Sequence, residues 1–233
     1  MLDHVSLPGM EDAKPNGLRG SSNEETKKEK ITIDVLIKKL TEFLKILNSH
    51  GVDPEIVNQI FKQLFFYIGS NTFNNLILRK EMCHWSKGIE IRFNVSHLEQ
   101  WIRDSKLQDS GALPTLEPII QASQLLQARK TENDIKSICD MCSVLTIAQI
   151  QRILMLYTPI DEYEEKLSRS FIDKVVKELR EIRQFEMEST QTTVVVDTQL
   201  TFPICIPFNP SNIGLETIEI PEQLNLSGIL KKL

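Results

Sequence analysis

Three stretches of this chain place side chains together that could do chemistry. Cys83-His84-Trp85 sets a thiol, an imidazole and an indole side by side, followed by Ser-Lys-Gly and an alternating run. Cys139-Asp-Met-Cys142 has the spacing of half a zinc site or of a redox dithiol. Asp161-Glu162 and Glu164-Glu165 offer paired carboxyl groups, the residue type of acid/base chemistry.

Each falls short of a site. Adjacent residues do not normally point at each other, so Cys83 and His84 make a poor nucleophile and base, and no third group is evident to orient the imidazole. A structural zinc needs four ligands, and only Cys83 and His84, from a separate segment, could join the Cys139/Cys142 pair. A thioredoxin-type dithiol needs a βαβ context that the surrounding pattern does not supply. Ile135, Ile138 and Met141 flank the pair at helical spacing, so packed thiols are the expected reading, with a metal-bound domain and a redox pair as alternatives. His4, His50 and His97 stand alone, and the acidic pairs suit the first turn of a helix, where its dipole favours them. No G-x-x-x-x-G-K-[ST], G-x-G-x-x-G or G-x-S-x-G occurs. The expectation is therefore no catalytic residue, no cofactor and no metal: not an enzyme.

Composition narrows the remaining classes. A net charge of −5 argues against a general nucleic-acid or anionic-membrane binder, which carries a basic surplus. No run of eighteen apolar residues occurs, so a membrane span is not expected. The start, "MLDHVSLPGMEDAKPNG", lacks the apolar core of a secretory signal, and four cysteines in 233 residues fit a reduced, cytosolic chain.

The elements that must position any site are mostly helical. Residues 1–30 hold Pro, Gly, Ser, Asn and a "KKEK" run, and read as a mobile arm or linker. From Ile31, the residues Ile33, Leu36, Leu40, Phe43, Leu44 and Leu47 recur at helical spacing as far as Gly51. Asp53-Pro54 starts a second helix, striped from Ile56 to Ile77, with Gly69 marking a close crossing or a bend. Further helices are expected over 95–106, 115–129, 132–143, 146–157 and 161–185, the fourth opened by the capping box Thr146-Ile-Ala-Gln149. "CHWSKG" is expected to reverse the chain, with Gly88 at the bend. Trp101 reads as core, while Trp85 stays open between core and exposed anchor. From 186 to 233 the chain is β-branched and interrupted by Pro203, Pro207, Pro210 and Pro221, which suits an extended strap across a helical body better than a central sheet. The fold class is all-α: a stacked antiparallel helical bundle over 31–185 with an extended C-terminal strap.

The stretches "NNLILRKEMCHWSKGIEIRFNVSHLEQWIRDSKL", "LEPIIQASQLLQARK", "ICDMCSVLTIAQIQRILMLYTP" and "IPFNPSN" together resemble the dilute domain. That domain is the C-terminal half of the globular cargo-binding tail of class V myosins. The likeness runs from about Lys14-Pro-Asn-Gly-Leu18 to the C-terminus. It implies stacked helical bundles and a non-catalytic, cytoplasmic module that attaches vesicles and organelles to actin-based transport through Rab-type small GTPases and adaptor proteins. Carried over residue by residue, the implied partner-binding positions are Phe93 and Gln127, with Arg129 and Lys130 able to steer an acidic surface. Family members commonly have Tyr where this chain has Phe93, which puts a phenolic hydrogen bond in doubt. The family's motor, with its ATPase and actin binding, has no counterpart here, and the companion half of the tail is expected to be another partner. The alternative role is an inhibitory or competing tail that docks on a motor domain.

Overall fold

The computed structural model describes residues 32–159, 166–183 and 192–206. The expected arm over 1–30, the acidic pairs at 161–165 and the end of the strap beyond 206 lie outside these residues. Eight α-helices occur among the described residues: α1 Ile33–Ser49, α2 Pro54–Leu78, α3 Trp85–Asp104, α4 Ala112–Thr115, α5 Glu117–Gln127, α6 Ile135–Met141, α7 Ile147–Leu156 and α8 Arg169–Ile182. No described residue forms a strand.

Local chemistry explains most boundaries. Asp53 accepts the Glu55 N–H at 2.8 Å and Pro54 takes the first turn, so α2 starts where a cap and a preset φ coincide. Thr146 and Gln149 form the reciprocal capping box: the Gln149 N–H donates to Thr146 Oγ1 at 3.1 Å and the Thr146 N–H to Gln149 Oε1 at 2.9 Å. Gly51, at φ +65°, ends the α1 turn in a conformation that other residues resist.

The helix expected over 95–106 begins ten residues earlier, because His84 serves as its cap. The Lys87 N–H donates to His84 Nδ1 at 3.2 Å, and Ser86 Oγ lies 2.8 Å from the same nitrogen. "CHWSKG" is therefore a helix start, and Gly88 sits inside α3, not at a bend. The run over 115–129 splits into α4 and α5 at Leu116, with Pro118 in the first turn of α5. The last helix starts at Arg169, where Ser168 Oγ accepts the Phe171 N–H at 3.2 Å.

Helix α5 is the centre. It packs against α2, α3, α4, α6 and α7, and Ile119, Ile120, Ala122, Leu125 and Leu126 are buried. Burying each such Leu or Ile contributes about 1.5–3 kcal/mol, more than a typical hydrogen bond at about 1 kcal/mol, so apolar contact with α5 dominates the assembly. Trp101 joins this core against Phe61 and Phe65, at centroid distances of 5.3 and 5.9 Å, and donates from Nε1 to Thr41 Oγ1 at 2.8 Å.

Two glycines allow close crossings. A Cβ on Gly69 would lie 2.9 Å from the Thr115 carbonyl oxygen, and one on Gly88 would lie 2.9 Å from both the Ser123 carbonyl oxygen and Leu126 Cβ. Of the two readings of Gly69, a crossing and a bend, the crossing holds, since α2 continues through it.

Val196 to Cys205 lie along α2, antiparallel to it, while Thr146 Oγ1 and Gln149 Nε2 at the start of α7 donate to the Thr193 and Val194 carbonyls at 2.7 and 3.1 Å. Three side-chain amides on α2 each hold the strap backbone. Asn74 donates to the Val196 carbonyl at 2.8 Å and accepts its N–H at 2.9 Å. Gln63 donates to the Leu200 carbonyl and accepts the Phe202 N–H, both at 2.8 Å. Gln59 brackets Cys205 at 2.7 Å in both directions.

Replacing Gly88 with Ala should destabilise the chain. Overpacking costs about 1–3 kcal/mol, which outweighs the helix-propensity gain of about 1 kcal/mol because one clashing atom is backbone. The urea midpoint should fall; an unchanged or higher midpoint would show that α3 does not sit this close to α5.

Candidate functional site

The thiols and the imidazole that looked reactive have structural roles. The Cys83 thiol is buried and donates to the Leu76 carbonyl at 3.3 Å, while its own carbonyl accepts the Thr158 N–H at 2.8 Å. Burial pushes this thiol up to about 12, only partly opposed by Arg152. His84 is held below its usual pKa by burial and by Lys87, which keeps Nδ1 free to accept the cap hydrogen bond.

Cys139 lies in α6 and Cys142 follows it at the C-cap, both buried. Burial raises them to about 11 and about 12, so neither is a thiolate near neutral pH. Buried Arg183 donates from Nη1 to the Leu145 carbonyl at 2.6 Å and from Nη2 to the Cys142 carbonyl, which ties α8 to the turn between α6 and α7. No group of three or more His, Cys, Asp or Glu side chains among the described residues is arranged to hold a metal.

The remaining candidate is a surface. Helix α3 presents Trp85, Ile89 and Phe93 at four-residue spacing, which places them on one helix face. Trp85 is 42% exposed and Phe93 is 43% exposed, while Ile89 is half-buried. The Phe93 ring stands edge-on to His97, with centroids 4.6 Å apart. Large aromatic groups left in water on a rigid element are features of binding surfaces.

Gln127 is the last residue of α5 and is half-buried. Its Nε2 donates to the Ser123 carbonyl at 3.0 Å, and its Cγ lies 3.2 Å from the position of a Cβ on Gly88. Gln127 thus meets α3 at Gly88, a turn and a half before Phe93. The Arg129 side chain is exposed. Lys130 turns inward, donating to the Leu126 and Ala128 carbonyls at 2.9 and 2.8 Å and lying 3.8 Å over the Tyr157 ring. It thereby satisfies carbonyls at the end of α5, where a cation also suits the helix dipole.

Sequence reasoning missed the His84 cap, the Gly88 crossing, the inward turn of Lys130 and the α2 amides that hold the strap. A signal for the amides existed: Gln59, Gln63, Ser70 and Asn74 recur at helical intervals along an otherwise apolar α2.

The thiol environments yield a measurable outcome. At neutral pH, Ellman's reagent should titrate one native thiol, exposed Cys205, and four in urea. Above the usual thiol pKa of 9.0, the unfolded chain loses these protons first. Folding stability should therefore fall with rising pH across 9.0 to about 12. A second reactive native thiol, or stability flat across that range, would contradict the assigned burial.

Residues 59–161 match the DIL domain family model. Human unconventional myosin-Va is 46% identical over 230 residues, which is 98% of this chain and 12% of that protein. The chain therefore spans about one eighth of its relative's length. A solved myosin V cargo-binding domain superposes with a TM-score of 0.62 at 24% identity, covering 72% of this chain and 42% of that one. A Myo2 globular tail solved in complex with Mmr1 gives 0.59 at 24% identity, covering 77% and 48%. These solved structures establish the all-α fold. The match falls on the cargo-binding tail region, so the ATPase motor is absent from these 233 residues. With the family model over residues 59–161, the 46% identity along nearly all of this chain and the fold in agreement, the chain belongs to the dilute-domain family of class V unconventional myosin tails.

Proposed function

We propose that this chain is a non-catalytic attachment module that links vesicles or organelles to actin-based transport in the cytoplasm. Rab-type small GTPases and adaptor proteins are its partners. The observation that carries this reading is the outward face of α3, where Trp85, Ile89 and Phe93 stand on a helix fixed against α5, next to Gln127. Adaptor binding is supported by the related Myo2 tail solved in complex with Mmr1.

Phe93 and Gln127 supply the contact, and exposed Arg129 supplies steering charge, which acts mainly on the association rate. Lys130 contributes by fixing the end of α5 and not by reaching outward. Without a hydroxyl at position 93, the contact there is apolar, so partner choice shifts toward surfaces that offer no phenol acceptor.

Pull-downs against GTP-loaded Rab proteins, beside a class V motor domain, test the assignment. Gln127→Glu should weaken GTPase binding by about tenfold, or roughly 1.4 kcal/mol, with helicity unchanged. Unchanged affinity removes this surface from the proposal, and capture of the motor domain alone favours the inhibitory role.

A second partner is the companion half of the globular tail. The solved relative extends well beyond the part matched here, and Phe43 and Ile46 on α1 and Ile204 and Ile206 on the strap are exposed. Such apolar surface favours association. The isolated chain should take up an apolar dye and self-associate in sedimentation; a monodisperse monomer without dye uptake would contradict this.

A further inference from the structure

Between the strap and the helical body lies a cleft of about 380 Å³ that the α3 surface does not involve. Phe66, Ser70 and Phe73 of α2 form one wall, and Pro114 and Pro118 form the other. Val196 and Phe202 of the strap complete its lining. Its volume falls within the range of small-ligand pockets, roughly 300–1,000 Å³.

The walls are fixed before anything enters. Gly69 brings α2 against the Thr115 carbonyl, and Asn74 and Gln63 pin the strap on either side of the opening. Between those pins the strap makes a turn: the Leu200 N–H reaches the Asp197 carbonyl at 3.4 Å, and the Gln199 N–H donates to Asp197 Oδ1 at 2.9 Å.

The chain itself shows what this wall accepts. The Phe202 ring, carried by an extended backbone, packs edge-on against Phe66 with centroids 5.2 Å apart. Lys62 Nζ lies 4.5 Å above the Phe202 ring. Among the described residues, Lys62 has no carboxylate partner, although it lines the cleft mouth. An unmatched cation beside an aromatic-lined cavity is complementary to an anion attached to a ring.

We propose that this cleft is an anchor site for an aromatic side chain flanked by a carboxylate, presented by an extended segment of a protein partner. The ring enters between Phe66, Phe73 and Pro118, and the carboxylate pairs with Lys62. The strap forms part of the receptor, so the site exists only while residues 196–202 are docked. This assignment stands apart from the α3 surface and does not depend on it.

Backbone NMR of the full chain, titrated with 3-phenylpropionate, tests it. Saturable shifts should appear on the amides of residues 62–73 and 111–118, with a dissociation constant on the order of millimolar for so small a ligand. The neutral analogue 3-phenylpropan-1-ol should bind about threefold more weakly, the scale of a part-exposed ion pair. Lys62→Met should abolish the difference between the two compounds, and Ser70→Leu, which fills the cleft, should remove both. Thermal melts verify folding of each variant; if Ser70→Leu unfolds, Lys62→Met and the two ligands still decide. Shifts confined to Trp85 and Phe93, no saturation, or equal binding of both compounds to the unaltered chain would overturn the proposal.

Discussion

The close approach of α3 to α5 at Gly88 is the contact on which the remaining structure depends. A hydrogen in place of a side chain lets the Ser123 carbonyl and Leu126 come within 2.9 Å of where a Cβ would stand. Because α5 is also the element that α2, α4, α6 and α7 pack against, a change in this spacing propagates to every layer. The same crossing seats Gln127 against α3 and turns the Trp85–Phe93 face outward. Core and surface are thus set by one geometric fact.

Polar groups then fix what apolar contact leaves loose. His84, Asp53, Thr146 and Ser168 satisfy N–H groups at helix starts, and Lys130 satisfies carbonyls where α5 ends. Buried Arg183 does the same for the turn between α6 and α7. The strap is held differently, by side-chain amides that grip its backbone and leave Ile204 and Ile206 in water. The amides read only the strap backbone, while the Phe202 ring on Phe66 adds a contact that depends on the strap sequence.

Much of this was legible from periodicity. The α1 stripe, the Asp53-Pro54 start and the Thr146 capping box each follow from a local rule. The start of α3 was not legible, because a histidine cap looks like a reactive group and an internal glycine looks like a turn. What distinguishes those readings is a neighbour more than thirty residues away, Ser123 or Gln127, which no local pattern reveals. Lys130 illustrates the same limit. An exposed-looking cation after a helix turns inward only because Tyr157 and the α5 carbonyls are there to receive it. For Cys139 and Cys142, by contrast, spacing and burial agree: both thiols pack.

The α3 face and the strap cleft keep their shape only where the body beneath them is held from within. Native-state hydrogen exchange measures that directly. The amides of Ile119 to Leu126 should be among the slowest in the chain, exchanging only through global unfolding, while those of α1 and the strap open earlier. Amides of α5 that exchange as fast as those of α1 would contradict the account.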